Sequence, residues 1–245
     1  TNTFATFEEH TAFDGNTGLY SGTRTTTNDV GLTLPIKSGK YYVEFWMETA
    51  SDTPGGNAGN VQHFGLSYGG YNGHVNSGGL YGSWVGTSFI GIRIDNRVQG
   101  GGNGYYGVTN ANHTGTPGYH YDDDVIGIAY DIVENGTCYA QFYRNGTPTT
   151  KWWFTNEGYA HFVPYARTNG YVTILNAGQD HTFHANMSNT AHHTDEKGIG
   201  KFRYQPPAGY LALCTQNLNT PIEDPSKHFG VTKWTGDSSR RKTIG

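Results

Sequence analysis

Glu44 and Glu48 stand on one face of the alternating segment Lys-Tyr-Tyr-Val-Glu-Phe-Trp-Met-Glu at 40–48, and paired carboxylates are what a glycosidase uses. At a strand rise of ~3.3 Å per residue the two lie about 13 Å apart. A retaining pair needs ~5 Å and an inverting pair ~6.5–9.5 Å, so this spacing does not suit hydrolysis. Asp122-Asp123-Asp124 offers hard oxygen ligands of the kind Ca²⁺ takes, but it lacks spaced partners and reads as a solvated turn at the mouth of a strand. His181, His184, His192 and His193 form the one histidine-rich region; a His-x₂-His pair alone falls short of the three or four ligands of a zinc site. No metal or other cofactor is expected.

Aromatic residues in glycine-rich surroundings offer a different chemistry. Tyr68, Tyr71, Tyr81, Trp84, Tyr105, Tyr106 and Tyr119, with His74 among them, sit between Gly, Asn and His. Amphipathic rings on loops give sugar- and protein-binding surfaces a large contact area with a polar handle. Equally, several of them can tuck into the edge of a core. Trp152-Trp153-Phe154, if extended, points neighbours in opposite directions, part to core and part to an interface. The run Gly100-Gly101-Gly102-Asn103-Gly104 has no following lysine and no helix to open, so it is no phosphate loop. Asn112, Asn135, Asn145 and Asn186 lie in glycosylation sequons, two of which are also Asn-Gly turns.

These residues need a scaffold, and composition restricts it to β-structure. Glycine supplies 36 of 245 residues, roughly twice the ~7% average, while aromatics make up 14% and provide a core. A net charge of −4 implies no basic face for nucleic acid, and no run of ~20 apolar residues implies a membrane span. The first residues show neither a signal-peptide pattern nor an initiator Met, so a processed chain or part of a longer protein is expected. Cys138 and Cys214 read as free thiols. Period-2 alternation makes 40–48 a strand with the Val43, Phe45 and Met47 face in the core. Further strands are predicted at 61–68, 89–94, 161–166, 171–175, 201–204 and 209–213, with 69–87 and 99–120 as long loops. Strands 124–132 and 137–143 join at Asn135-Gly136, and Asn145-Gly146 turns the chain again, giving a meander through type I′ turns.

In that order the segments resemble a SPRY domain of the concanavalin A-like group. Gly39-Lys40-Tyr41-Tyr42-Val43-Glu44-Phe45 is similar to its opening strand, and Phe64-Gly65-Leu66 to the next. Asp124-Val-Ile-Gly-Ile-Ala-Tyr-Asp131 resembles "GDVIGVALD", with Asp123 in place of the glycine. Phe142-Tyr-Arg-Asn-Gly-Thr147 resembles "FYKNGT". Phe162 to Ala166 and Ile174 to Gln179 continue the likeness, which spans about 39–180. Asp131 and Glu134 also resemble the end of the glucanase "ExDxxE" motif, but Ala129 stands where its nucleophile would be, so Asp131 reads as a strand-end residue. The stretch from Lys201 to Thr215, with Asn217-Leu218 and Asp224 to Phe229, resembles SPRY-like proteins of marine tailed phages.

The expected fold is therefore all-β: an antiparallel two-sheet β-sandwich of SPRY, concanavalin A-like jelly-roll type over 1–213, with an extended tail or linker at 214–245. What the resemblance implies is a non-catalytic protein of the virion surface, a capsid decoration or tail-associated component. Its expected partners are other virion proteins, through a docking tail of Pro221, Asp224, Pro225, His228, Phe229 and Trp234, in a homo-oligomer or symmetric array. The alternative is a lectin-like module for a host glycan. That reading predicts an exposed Tyr/Trp platform beside Asn and Asp side chains, in a concave loop face.

Overall fold

Short runs of aromatic and β-branched residues, cut by Gly, Asn and Pro, fold into fourteen strands and no helix among the described residues. The computed structural model describes residues 3–7, 12–13, 18–20, 27–48, 63–68, 88–93, 97–100, 108–118, 120, 122–158, 161–169 and 172–218. The strands are β1 (Ala12–Phe13), β2 (Gly18–Tyr20), β3 (Thr27–Gly31), β4 (Gly39–Met47), β5 (His63–Tyr68), β6 (Ser88–Arg93) and β7 (Arg97–Gly100). They continue as β8 (Val108–Thr114), β9 (Val125–Ile132), β10 (Thr137–Arg144), β11 (Thr147–Asn156), β12 (Phe162–Asn169), β13 (Val172–Asn176) and β14 (Leu211–Ala212).

They pair into two sheets. The larger runs β1-β2-β13-β4-β9-β10-β11-β8, with β14 beside β4, and the smaller runs β3-β12-β5-β6-β7. Every pairing is antiparallel except β14 on β4. This is the expected two-sheet sandwich. The long loop expected over 99–120 is not loop throughout, since 108–114 forms β8 and caps the edge of β11. The strand expected over 201–204 does not form; Phe202 makes only an isolated bridge to His193.

The two Asn-Gly pairs behave differently. Asn145 and Gly146 both take positive φ (48° and 78°) and close β10 onto β11 as a type I′ turn. At the other pair only Asn135 is left-handed (φ 51°), because 133–136 forms a longer loop. That loop is tied down by its neighbours: Val133 N–H donates to Cys138 Sγ, while Asn156 of β11 donates to the carbonyls of Gly136 and Val133. Cys138 and Cys214 are both free and buried, as expected.

The core between the sheets is aromatic. Phe45 of β4 meets Phe64 of β5 at 5.1 Å, and Phe154 of β11 meets Phe162 of β12 at 5.4 Å between ring centroids. Two large side chains cross from the larger sheet and donate to backbone carbonyls of the smaller one. Tyr130 Oη donates to Gly65 O (3.0 Å) and Trp152 Nε1 to Gly91 O (3.2 Å). Gly65 and Gly91 are direct partners in the β5–β6 ladder. A Cβ at Gly65 would stand 2.7 Å from Gly91 Cα, and one at Gly91 would stand 2.9 Å from Tyr165 Oη, so bare backbone is what lets β5 and β6 lie this close within the smaller sheet.

The strand at 40–48 was expected to bury one face, and it buries both. Val43, Phe45 and Met47 enter the inter-sheet core, while Tyr42, Glu44 and Trp46 are covered on the other side by the segment 177–218. This irregular strap lays Phe183, Phe202, Ala212 and Cys214 on the outer face of the larger sheet. The chain stays packed through 214–218: Thr215 N donates to Thr3 O, and Asn217 O accepts from Tyr41 Oη.

Gly65→Ala is expected to lower stability by about 2–3 kcal/mol through overpacking against the β6 backbone at Ile90 and Gly91. Urea unfolding measures this, and an unchanged midpoint would contradict the close-approach role.

Candidate functional site

The loop residues Tyr71, His74, Tyr81, Trp84, Tyr105, Tyr106 and Tyr119 lie outside the described residues, as does the side chain of Tyr68. So do Pro221, Asp224, Pro225, His228, Phe229 and Trp234 of the expected docking tail. The remaining candidates are placed, and most have structural work.

Glu44 is fully buried and all its hydrogen bonds are internal. Oε1 accepts from Tyr42 Oη (3.3 Å) and Tyr204 N (2.8 Å), and Oε2 from Asn176 Nδ2 (3.1 Å) and Arg203 N (2.8 Å). Burial raises its pKa, the four donors pull it back, and the balance lies at about 7. Asp195, 4% exposed, does the same within the strap, accepting from Lys197 N, Ile199 N, Ala212 N and Asn217 Nδ2. Neither carboxylate faces a substrate. Asp131 pairs with Lys40 (3.3 Å) and Glu134 with Lys37 (2.9 Å). Asp124 is buried against Arg144 Nε (2.7 Å) and Asn145 Nδ2 (2.6 Å), leaving Asp122 and Asp123 exposed on the turn.

One cleft does gather polar groups. Trp46, Glu48, Asp122, Asp123, Val172, Ile174, His184 and Asn186 line a space of about 450 Å³ at the end of β4 and β13. His184 reaches it on an unusual backbone, with Phe183, His184 and Ala185 all left-handed (φ 49°, 58° and 64°). Asp180 holds that turn: Oδ1 accepts from Thr182 N and Oγ1, and Oδ2 from His184 N. Burial raises the Asp180 pKa, but these bonds outweigh it and hold the carboxyl below its ordinary value. Of the other histidines, His181 meets Thr190 O (2.9 Å) and stacks near His192, and His193 meets Gln205 Oε1 (3.2 Å). Among the described residues no three His, Cys, Asp or Glu side chains converge as metal ligands.

The other candidate is a face rather than a cleft. The strap covers β13, β4 and β9, while β10 and β11 alternate buried and half-buried residues. Cys138, Ala140, Phe142, Trp152 and Phe154 point into the core, so Tyr139, Gln141, Tyr143, Lys151, Trp153 and Thr155 face outward. Tyr139 and Trp153 are direct cross-strand partners, which sets their Cβ atoms about 5 Å apart. In the same row, Trp153 is flanked by Asn112 of β8 and Tyr139 by Asp131 of β9. The next row carries Gln141, Lys151 and Thr114, with Lys151 Nζ held 4.4 Å above the Tyr139 ring. The result is an aromatic pair rimmed by amide, hydroxyl and charged groups.

The sequence assigns part of Trp152-Trp153-Phe154 to an interface and Asn112 to a sequon, but gives no sign of Tyr139 or Lys151 at a site. The Asn145-Gly146 turn alone would pair Tyr139 with Trp152. A bulge between Gln141 and Tyr143 shifts the register by one and puts Trp153 opposite Tyr139 instead.

No family model matches the sequence, and no curated protein matches it significantly. Solved structures similar to it include a human SPRY domain at 18% identity and TM-score 0.41, covering 68% of this chain and 94% of that one. The carbohydrate-binding module CBM66 from Bacillus subtilis is 4% identical at TM-score 0.38, covering 71% and 92%. The metal-free carbohydrate recognition domain of Emp46p is 13% identical at TM-score 0.31, covering 61% and 80%. These likenesses are remote, and the fold is read here from its own strand pairing.

The Glu44 geometry makes a pH-dependent prediction. With a folded pKa of about 7 against 4.5, the folded state holds this proton more tightly than the unfolded chain. Its contribution to stability is full below about pH 4.5 and is lost as pH rises through about 7. His120 slopes the other way: burial holds it neutral with a pKa of about 4 against 6.5, so its contribution is present above about 6.5 and lost as pH falls through about 4. The two partly cancel, so Glu44 is read from a difference. Glu44→Gln sets an amide NH₂ against backbone donors, so it is expected to cost about 2–3 kcal/mol near neutral pH and to flatten the decline between about 4.5 and 7. Urea unfolding of both proteins at about pH 5, 6, 7 and 8 tests this; parallel pH profiles would contradict it.

Proposed function

We propose that this domain is a non-catalytic recognition module that binds a glycan on the open outer face of β8, β10 and β11. The observation that carries the reading is the Tyr139–Trp153 pair, half-exposed on the part of the sheet that the strap leaves uncovered. A sugar ring presents an apolar C–H face and a rim of hydroxyls. Aromatic rings with polar neighbours match both, the rings taking the C–H face and Asn112, Gln141 and Thr155 standing beside them for the rim. Strands also hold the rings at fixed spacing, which lowers the ordering entropy that binding must overcome.

Carboxylate placement supports a binder over a hydrolase. Glycoside hydrolysis by the usual route needs two carboxyl groups flanking one bond. Among the described residues the platform has Asp131 alone beside it, and Asp131 is paired with Lys40. On the resemblance alone, we further place the module on the surface of a phage virion, where symmetric copies would combine weak sites by avidity. The cross-strand pair does not depend on that placement.

Trp153→Ala is expected to weaken glycan binding by at least about ten-fold, equivalent to ~1.4 kcal/mol, whereas Trp153→Tyr retains most of it. Calorimetry on ligands drawn from a glycan array, with thermal melts to confirm folding, measures the effect. Equal affinity for a folded Trp153→Ala protein and wild type would overturn the platform. Release of new reducing ends from a bound glycan would overturn the non-catalytic reading. Immunogold label on purified virions is the expected result for the placement, and label confined to lysate would remove it.

A further inference from the structure

We infer that the glycan recognised on this face is acidic, carrying carboxylate or sulfate groups, and that Lys151 is the group that binds the anion. The inference rests on the platform reading above and names the ligand class of that same site. Several other cations of the described residues are held by partners of their own. Lys40 is matched by Asp131 at 3.3 Å, Lys37 by Glu134 at 2.9 Å and Arg144 by Asp124 at 2.7 Å. Arg203 is committed to Ser188 O and Thr190 Oγ1. Lys151 differs in position: among the described residues its ammonium has neither a carboxylate nor a hydrogen-bond partner, and it sits 4.4 Å over the Tyr139 ring.

That position has two consequences. A cation over an exposed aromatic ring gains only about 0.5–1 kcal/mol, enough to hold the ammonium in place but not to neutralise it. The charge therefore stands against the Tyr139 ring, two residues along β11 from the indole on which a sugar would stack. A carboxylate or sulfate projecting from that sugar would exchange a cation–π contact for a charge-assisted hydrogen bond, which is the stronger of the two.

Asn112 on the rim points the same way. Asn112, beside Trp153, spends its Oδ1 accepting from His113 N (2.8 Å), which leaves its amide to act as a donor. Asp131, the carboxylate nearest Tyr139, is compensated by Lys40. Around the aromatic pair stand the Asn112 amide and the Lys151 ammonium as donors, while Gln141 spends its amide on Phe142 O and Thr150 O, in a chain whose overall charge is −4. A neutral glycan would leave the Lys151 charge without a counterpart.

The test compares polygalacturonate with its fully methyl-esterified form, which has the same backbone without the charge, and dextran sulfate with dextran. Affinity electrophoresis or calorimetry on the full chain reads the binding. Wild type is expected to prefer one or both charged members by at least about five-fold at low salt, with the preference shrinking at about 0.3 M salt. Preference for polygalacturonate alone assigns the carboxylate, and preference for dextran sulfate alone assigns the sulfate. Lys151→Met should bring charged and uncharged forms together, and Lys151→Arg should keep the preference. Trp153→Ala should lower both. Equal binding of charged and uncharged forms by wild type, or a preference that survives Lys151→Met, would overturn the inference and leave the platform reading standing. Retention of all binding by a folded Trp153→Ala protein would overturn both.

Discussion

Glu44 is a carboxylate in the middle of a strand, with no solvent exposure and four donors converging on it, and the outer architecture of the larger sheet depends on it. The edge of β4 is shared: β13 pairs along its second half and ends at Asn176 opposite Glu44, and β14 takes up the first half in parallel. Glu44 sits at that junction. Its oxygens capture the Asn176 amide, where β13 gives way to the strap, and the N–H groups of Arg203 and Tyr204, where the strap passes back over the sheet. An irregular segment has no ladder of its own, so its N–H groups need acceptors. Glu44 from below and Asp195 from within supply them.

Covering one half of the outer face has a consequence for the other half. The strap buries Tyr42, Trp46, Ala129 and Ile174, which would otherwise form an exposed apolar patch. It reaches only Tyr143 of β10 and the Asn145-Gly146 turn, where Tyr204 lies, and Tyr139 and Trp153 lie beyond it. A broad sheet face is thereby divided into a sealed region that adds stability and an open region bounded by the strap. Cover makes the open rings distinctive, because on this face they and their polar rim are what the strap leaves outside it.

The sequence was most legible where one local rule decides the structure. Alternation in 137–143 and the Asn145-Gly146 pair gave a hairpin whose turn has both φ values positive. Legibility failed where a distant segment decides. Nothing local to Tyr42, Glu44 and Trp46 says that residues 177–218 will cover them, so a strand that reads as half-buried is buried on both faces. Similarly, Asn135-Gly136 has the same dipeptide as the I′ turn, but hydrogen bonds from Asn156 hold it in a longer loop. In each case the deciding contact is remote in sequence, and no window of ten residues contains it.

The bulge between Gln141 and Tyr143 shows how closely the core and the candidate site are coupled. A one-residue change of register moves every side chain of a strand to the opposite face. Here the shift places Trp152 inward, where its Nε1 donates to Gly91 O, and therefore places Trp153 outward against Tyr139. The inter-sheet hydrogen bond and the exposed indole are two results of one register, since adjacent residues of a strand cannot share a face. The ladder is uneven at the bulge, and side chains fill it: Thr149 Oγ1 and Gln141 Nε2 both donate to Phe142 O, and Gln141 also donates to Thr150 O. Those bonds fix the register that exposes Trp153, so Gln141 and Thr149 position the platform through the backbone.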